Sequence, residues 1–239
     1  MLDYSKSSLF YSRFIRNMAN QRGRHPSKSN SSLGKHQPKS GSGDLSRAAK
    51  LRIIAGTHRG RTLVYRGDPV TRPMKDRTRE ALFSRLGGKF DSGIAIDLFA
   101  GTGVLGFESL SRGATEAWLV ELDSKAASDI RLTAKQLGFD AQTHVRCGDS
   151  FLLAEHIIQQ LQQSPTPIPW LVFVCPPYAL WQEQYDAMLQ LLQRICTSAP
   201  EGSSIVCELE EKTPVEILPN NLEWDIRLYR PAQVAIADI

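Results

Sequence analysis

The segment Cys175-Pro176-Pro177-Tyr178 has residue types that suit an amino group on a planar base. Neither proline has a backbone N–H, and both hold the chain extended, which leaves nearby carbonyl oxygens free to accept hydrogen bonds. The ring of Tyr178 offers a face for a stacked base, worth about 1–3 kcal/mol. We predict that these four residues form the catalytic segment. The alternative is a rigid turn that only ends a strand.

A glycine-containing turn marks a second part of the predicted site. Gly101 and Gly103 let the backbone bend sharply and approach a ligand, and a helix starting after them points its N–H groups toward that ligand. The pattern is typical of nucleotide-type cofactor sites. Because Gly106 completes G-x-G-x-x-G, the turn alone also fits a dinucleotide. The predicted cofactor contacts here are Asp97, Phe99, Ala100, Gly101, Thr102 and Gly103.

Two further acidic residues stand where the next two strands are predicted to end. Glu121 is placed to accept hydrogen bonds from two ribose hydroxyls, and Asp149 to accept from the exocyclic amine of an adenine. Ligands of an open parallel sheet bind beyond the carboxyl ends of its strands. We therefore add Glu121, Leu122, Asp149 and Ser150 to the predicted cofactor-binding residues. The alternative for each acidic residue is a cap on the following helix.

The strands and helices that must position these residues are predicted from the pattern of apolar and polar residues after residue 90. Strand-like runs near 93–97, 117–121, 143–147, 170–175 and 203–208 alternate with helical segments near 103–112, 124–137, 150–162 and 181–197. Regular alternation predicts an α/β fold, in which a largely parallel sheet has helices on both faces. Two last runs, 223–229 and 233–238, predict a terminal antiparallel hairpin.

Positive charge is concentrated before this sheet. Residues 1–90 carry 20 Lys and Arg against 5 acidic residues, whereas residues 91–239 carry 9 against 20. This asymmetry favours a nucleic-acid-facing N-terminal part, although a solvated basic tail is the alternative. We predict a disordered basic tail over 1–48, a basic hairpin and helix over 49–90, and an α/β domain over 91–239, with Met18 as an alternative start of the chain.

The basic hairpin and helix supply the predicted nucleic-acid contacts. Arg77, Arg79 and Arg85 are predicted to project outward from a helix whose other face carries Leu82 and Phe83. Basic side chains that project together suit phosphate groups, and the alternative is an ordinary solvated helix face. The predicted nucleic-acid contacts, which the family resemblance described below implies are RNA contacts, are Arg52, Arg59, Arg61, Arg72, Lys75, Arg77 and Arg79.

The spacing of the cysteines and the hydropathy of the chain argue against a metal site, a disulfide and a membrane span. The four cysteines, Cys147, Cys175, Cys196 and Cys207, include no C-x-x-C pair and no His partner at ligand spacing, so neither a metal site nor a disulfide is predicted. No apolar run reaches the roughly 18 residues of a membrane span. We predict a soluble, cytoplasmic protein without membrane contact, and a monomer.

The combined motifs resemble a known family. The Gly turn, Glu121, Asp149 and the Pro-Pro-Tyr step are similar to class I S-adenosylmethionine-dependent methyltransferases that act on exocyclic amines. The N-terminal motifs resemble the RsmD family of bacterial 16S ribosomal RNA guanine-N2 methyltransferases, over about Leu51 to Ile239. These motifs are Arg52-Ile53-Ile54-Ala55-Gly56, Arg59-Gly60-Arg61, and Arg72-Pro73 through Asp76-Arg77 and Arg79-Glu80 to Leu82-Phe83.

The resemblance implies a Rossmann-like methyltransferase domain over 91–239, with a seven-stranded sheet preceded by the hairpin and helix extension. It implies S-adenosylmethionine as cofactor, and 16S rRNA in an assembling small ribosomal subunit as partner. One position departs from the family, whose motif begins with Asp or Asn where this chain has Cys175, a weaker acceptor. The open alternatives are a catalytically weakened RNA-binding or ribosome-assembly protein, an N-methyltransferase for DNA or protein, and an NAD-dependent oxidoreductase. A nucleophilic Cys175 is a further, less favoured alternative, since no neighbouring base or cation is evident.

Overall fold

The computed structural model describes residues 51–65, 73–87 and 92–239. The predicted tail over 1–48, the alternative start at Met18 and the predicted RNA contact Arg72 lie outside the described residues. Six α-helices and seven strands are present in the described part of the chain. The helices are α1 (Asp76–Arg85), α2 (Val104–Arg112), α3 (Ser124–Leu137), α4 (Ser150–Gln162), α5 (Leu180–Glu183) and α6 (Tyr185–Ser198). The strands are β1 (Ile94–Asp97), β2 (Glu116–Glu121), β3 (Thr143–Cys147), β4 (Trp170–Val174), β5 (Ser204–Glu210), β6 (Asp225–Tyr229) and β7 (Ala232–Asp238).

All seven strands form one sheet in the order β3-β2-β1-β4-β5-β7-β6. Strands β1 to β5 are parallel, and β7 pairs antiparallel with both β5 and β6. In the central register Asp97 of β1 is paired with Leu119 of β2 and with Phe173 of β4. The carboxyl ends of β1, β2 and β4 therefore lie side by side, at the edge where the sequence predicts the site.

Each face of the sheet has its own hydrophobic core. On one face, buried residues of α1, α2 and α3 such as Phe83, Phe107 and Ile130 pack against the sheet. On the other face, residues of α4 and α6 such as Ile157 and Leu192 do the same. The predicted α/β fold with a mostly parallel sheet and helices on both faces is confirmed.

Two details differ from the sequence prediction. The helix predicted over 181–197 is broken at Gln184, whose backbone (φ −131°, ψ 40°) leaves the helical region between α5 and α6. The terminal hairpin is present, but its second strand, β7, lies next to β5, and its first strand, β6, forms the edge of the sheet. The burial of the two strands explains this order, since all but one residue of β7 are buried whereas β6 is partly exposed along its length.

The predicted N-terminal hairpin is present as a single bridge between Arg52 and Thr62, supported by a hydrogen bond from the Ile53 N–H to the Arg61 carbonyl at 2.9 Å. Leu51, Ile53 and Leu63 are buried in the same core as α2 and α3. The hairpin is therefore packed against the sheet domain and is not an independent unit.

Candidate cofactor site and nucleic-acid interface

The turn after β1 is held in a left-handed backbone conformation. Gly101 has φ 54° and Gly103 has φ 73°, values that side chains other than glycine rarely adopt. The Gly101 N–H donates to Oε2 of Glu121 at 2.7 Å, and the Ala100 N–H donates to the Val120 carbonyl at 2.8 Å. The turn is thus fastened to the end of β2, and α2 begins directly after Gly103.

Glu121 is fixed by two backbone donors, one on each carboxylate oxygen. Oε2 accepts from Gly101, and Oε1 accepts from the Asp123 N–H at 2.8 Å. Burial raises the pKa of Glu121 to about 7, although these N–H groups act in the opposite direction. A carboxylate has about four acceptor positions, so a held Glu121 still has capacity for a pair of hydroxyl groups.

Asp97 is the most enclosed carboxyl group of the turn, with 1% of its surface exposed. Its Oδ1 accepts from the Phe99 N–H at 3.3 Å. The pKa of Asp97 is raised to about 7, mainly by burial and to a smaller extent by the charge of Glu121, while the Phe99 N–H acts in the opposite direction. Asp97 therefore stabilises the turn through its bond with Phe99, and its buried carboxyl group lies near that of Glu121.

Asp149 both caps a helix and has a free oxygen. Its Oδ1 accepts from the Phe151 N–H at 2.8 Å at the start of α4, which is the capping role that the sequence left open. Its Oδ2 is buried, and no described residue donates to it. Burial also raises the pKa of this carboxyl. A buried acceptor without a donor is costly unless a ligand supplies one, so Asp149 fits the predicted contact with an adenine amine.

The remaining predicted cofactor contacts divide into two groups. Phe99, Gly101 and Leu122 are partly exposed at the strand ends, where a ligand can reach them. Ala100, Thr102 and Gly103 are buried within the turn, so their contribution is the shape of the backbone. Ser150 is also buried, and its hydroxyl donates to the Leu98 carbonyl, which ties α4 to the end of β1.

The Cys-Pro-Pro-Tyr segment follows β4, directly beside the turn after β1. The Pro177 carbonyl accepts from the Leu180 N–H at 2.9 Å and starts α5, whereas no described residue donates to the Pro176 carbonyl. Tyr178 is half-buried, and its hydroxyl donates to Oε1 of Glu208 at 3.0 Å. The segment thus presents an acceptor and a fixed aromatic ring next to the candidate cofactor site.

Burial raises the pKa of the Cys175 thiol well above its usual range, and the negative charges of Glu208 and Asp97 raise it further. The side chain therefore stays protonated at neutral pH. A neutral thiol is a weak hydrogen-bond acceptor, and it is not the thiolate that a nucleophilic cysteine requires.

Glu208, on β5, is a site residue that the sequence analysis missed. Besides the bond to Tyr178, its backbone carbonyl accepts from Nε1 of Trp181 at 2.9 Å. The signal that indicates it is its place at the end of the fifth predicted strand (203–208), since ligands of a parallel sheet bind at strand ends.

The predicted RNA-binding residues on the hairpin and on α1 are mostly exposed. Arg59, Arg61, Lys75 and Arg77 have exposed side chains. Arg52 is also exposed, and its Nε donates to Oδ2 of Asp76 at 3.0 Å. All five are exposed on the N-terminal part of the chain, and together they are called the basic surface below.

Arg79 corrects the sequence prediction, because its side chain is fully buried and does not project outward. Its guanidinium donates to the carbonyls of Met74 at 2.8 Å and Arg52 at 2.6 Å, and to Oδ1 of Asp76 at 3.0 Å. Nε lies 3.8 Å from Oε2 of the equally buried Glu108. Burial lowers the pKa of Arg79, opposed by the charges of Glu108 and Asp76. Arg79 therefore holds the N-terminal segment together and cannot contact a phosphate.

Arg85 is largely covered and is paired with an exposed carboxylate on the edge strand. Its Nε donates to Oδ2 of Asp225 on β6 at 3.0 Å, and its side chain is 16% exposed. The prediction that it projects outward is wrong, since α1 packs on the sheet near the edge strand.

Two further features are absent from residues 51–65, 73–87 and 92–239. No helix in these ranges is both long and apolar enough to cross a membrane. Nor do these ranges contain three or more His, Cys, Asp or Glu side chains grouped so that they could hold a metal ion.

The parallel sheet with its antiparallel last strand, and the site at its carboxyl edge, define the class I S-adenosylmethionine-dependent methyltransferase fold. Solved structures of similar proteins support this fold. A putative methyltransferase, yhhF from Escherichia coli, is 27% identical with a TM-score of 0.61, over 79% of this chain and 97% of that chain. A putative methylase from Haemophilus influenzae, HI0767, is 27% identical with a TM-score of 0.59, over 79% and 98%.

The family model described as Conserved hypothetical protein 95 matches residues 51–231, and the chain belongs to this family. The putative rRNA methyltransferase YlbH of Bacillus subtilis is 33% identical over 142 residues, 59% of this chain and 73% of that protein. Ribosomal RNA small subunit methyltransferase D of E. coli K12 is 37% identical over 131 residues, 55% of this chain and 62% of that protein. The Buchnera aphidicola protein of the same name is 30% identical over 173 residues, 72% and 84%. The predicted RsmD-type family is confirmed.

Proposed function

We propose that this protein transfers a methyl group from S-adenosylmethionine to the exocyclic N2 amine of a guanine in 16S ribosomal RNA. The proposal includes a cytoplasmic monomer that acts on an assembling small ribosomal subunit, with residues 49–90 contacting RNA and residues 91–239 transferring the methyl group. The observation that supports it most directly is the Cys-Pro-Pro-Tyr segment, which lies beside the turn of Gly101 and Gly103 at one edge of the sheet.

The residues present fit the cofactor. Glu121 is held so that its carboxylate can accept from ribose hydroxyls, and the unpartnered Oδ2 of Asp149 provides the acceptor that an adenine amine needs. Phe99 and Leu122 are partly exposed beside these two acceptors and provide apolar surface. When bound, S-adenosylmethionine supplies an electrophilic methyl group on a sulfonium.

Positioning is the main task left to the protein, because the methyl donor is already activated. Tyr178 would stack on a guanine turned out of its helix, while the Pro176 carbonyl accepts from the N2 amine. Held in this way, the N2 amine would have its lone pair free to accept the methyl group that the bound cofactor supplies, and it would release one proton to water. The neutral Cys175 thiol contributes shape and little hydrogen bonding.

The basic surface would bind the phosphate groups of the RNA backbone. It consists of Arg52, Arg59, Arg61, Lys75 and Arg77. Exposed Lys and Arg side chains release counterions when they meet phosphates, so they provide affinity without base selectivity. Base selection is left to the strand-end pocket. The relatives named as small subunit methyltransferase D support 16S rRNA as the substrate.

The test is transfer of labelled methyl from S-adenosylmethionine to small-subunit particles from a strain that lacks the gene, followed by nucleoside analysis. We expect N2-methylguanine. If the purified protein binds no S-adenosylmethionine, the proposal is wrong. Cofactor binding without transfer would favour a binding or assembly role, and Cys175→Asp would then test whether a stronger acceptor restores transfer.

A further inference from the structure

Helix α3 lies between the candidate cofactor site and the N-terminal hairpin. It begins three residues after Glu121, whose carboxylate is fixed at the turn. At its other end, Nε2 of His58 donates to the Leu137 carbonyl at 3.0 Å, and the Val64 N–H donates to the hydroxyl of Thr133 at 3.1 Å. The 14 residues of α3 span about 21 Å. The helix therefore bridges the distance from the cofactor site to the basic hairpin.

The charge of this part of the α/β domain differs from that of the rest. Residues 124–147 carry 4 Lys and Arg against 2 acidic residues, whereas the remainder of 91–239 carries 5 against 18. Three of the four basic residues are on α3, namely Lys125, Arg131 and Lys135. An acidic surface repels a polyanion, so nucleic acid meets the least repulsion from this domain at α3.

The three basic side chains of α3 are available to a ligand. All three are exposed, on the part of the helix that faces away from its buried residues. None of them forms an ion pair with a residue that the structure describes, and the single hydrogen bond of Arg131, to the Val145 carbonyl at 3.2 Å, leaves its charge uncompensated. By contrast, four of the other six Lys and Arg of residues 91–239 are paired with acidic side chains, namely Arg112, Arg194, Arg227 and Arg230.

We infer that the exposed face of α3, formed by Lys125, Arg131 and Lys135, is a second contact for the RNA backbone; this inference rests on the proposed function. From Lys125 to Lys135 the helix rises about 15 Å, a distance over which a nucleic-acid strand carries several phosphates. Phosphate contacts set the register and orientation of a bound strand without reading its bases. A strand bound by both the basic surface and α3 is led from the hairpin to the strand ends where the base is methylated.

Two triple variants test this role, and each removes three positive charges. The test variant carries Lys125→Gln, Arg131→Gln and Lys135→Gln. The matched control removes three exposed charges near the β6 edge of the sheet, whereas α3 packs on β2 and β3 at the other edge. This control carries Lys212→Gln, Arg227→Gln and Arg230→Gln.

Both variants are assayed on the small-subunit particles described above, for N2-methylguanine formation and for the salt dependence of particle binding. In the test variant we expect KM to rise about tenfold while kcat stays within about twofold of wild type. The slope of log affinity against log salt should fall by about 2, since each lost phosphate contact contributes about 0.7–0.9. The control should stay within about twofold of wild type in KM and keep the wild-type slope.

S-adenosylhomocysteine affinity, measured by calorimetry, and the free energy of unfolding should match wild type in both variants, which excludes damage to the cofactor site or the fold. A test variant with the KM and salt slope of wild type would overturn the inference. Equal losses in the control would also overturn it, because net charge and not the position of α3 would then set the affinity. A wild-type protein that binds the cofactor but makes no N2-methylguanine would instead refute the proposed function itself, and with it this inference.

Discussion

Glu108 on α2 is the buried carboxylate that joins the N-terminal hairpin to the sheet domain. Its two oxygens accept from the backbone N–H groups of Ile54 at 2.8 Å and Ala55 at 3.0 Å. The same carboxylate pairs with Arg112, whose Nη2 lies 2.7 Å from Oε1, and with Arg79 at 3.8 Å. Glu108 and Arg79 have no exposed surface. Replacing Glu108 with alanine therefore leaves buried donors and buried charges without their acceptor.

The cost of Glu108→Ala follows from these contacts. Breaking a buried ion pair by removing one partner costs about 3–5 kcal/mol, because the other charge remains buried. Two backbone donors left unpaired add about 1–3 kcal/mol each when they are not reached by water. Since such terms are not additive and the hairpin can relax, we expect a loss of at least about 4 kcal/mol in the free energy of unfolding. That is a large part of the 5–15 kcal/mol typical of a folded domain, by order of magnitude.

Equilibrium unfolding in urea measures this loss directly. The matched control is Glu201→Ala, an exposed glutamate that should change the free energy of unfolding by less than about 0.5 kcal/mol. Glu108→Gln keeps one acceptor oxygen and loses the charge, so its cost should fall between those of the control and of Glu108→Ala. If Glu108→Ala were within about 1 kcal/mol of wild type, the carboxylate would not hold the hairpin and the reasoning would be refuted.

Two further predictions concern the cofactor site and the basic surface. Because burial raises the pKa of Glu121 to about 7, its ionised fraction grows from about pH 6 to pH 8, and S-adenosylhomocysteine binding measured by calorimetry should strengthen over this range. Glu121→Gln should weaken binding about tenfold at the upper pH and lose most of the dependence; an unchanged pH profile would contradict this. Arg77→Ala should reduce the salt slope of RNA binding by about 0.7–0.9 with unchanged stability, whereas Arg79→Ala should lower the free energy of unfolding by about 3–5 kcal/mol. If Arg79→Ala reduced the salt slope and Arg77→Ala lowered the free energy of unfolding, the burial of Arg79 would be wrong.

The parallel part of the fold could be predicted because each piece has a local signal. Strands β1 to β5 were placed within two residues of their observed ends, and α3 and α4 were placed without error. These helices begin at Asp123 and Asp149, whose side chains cap them, so the sequence itself marks the boundaries. The order of β6 and β7 has no comparable local signal, because it depends on which strand can be buried on both faces.

The site could be predicted only in part, since its partners come from distant segments. Asp97, Glu121 and Asp149 follow from the rule that ligands bind at strand ends. The burial of Arg79 could have been suspected, because it lies three and four residues before Leu82 and Phe83, on the apolar face of α1. What the sequence did not show is its partner Glu108, which is 29 positions away on another helix.

Helix α2 connects the candidate cofactor site to the N-terminal hairpin. It begins directly after Gly103, in the turn of the candidate cofactor site, and its later turns carry Glu108 and Ser111. Ser111 accepts from the Thr57 N–H through its carbonyl at 2.8 Å and from the His58 N–H through its hydroxyl at 2.9 Å. Eight residues of helix span about 12 Å, so the hairpin is held at a fixed distance of that order from the turn. Under the proposed function, a basic surface positioned in this way would set where RNA lies relative to the methyl donor.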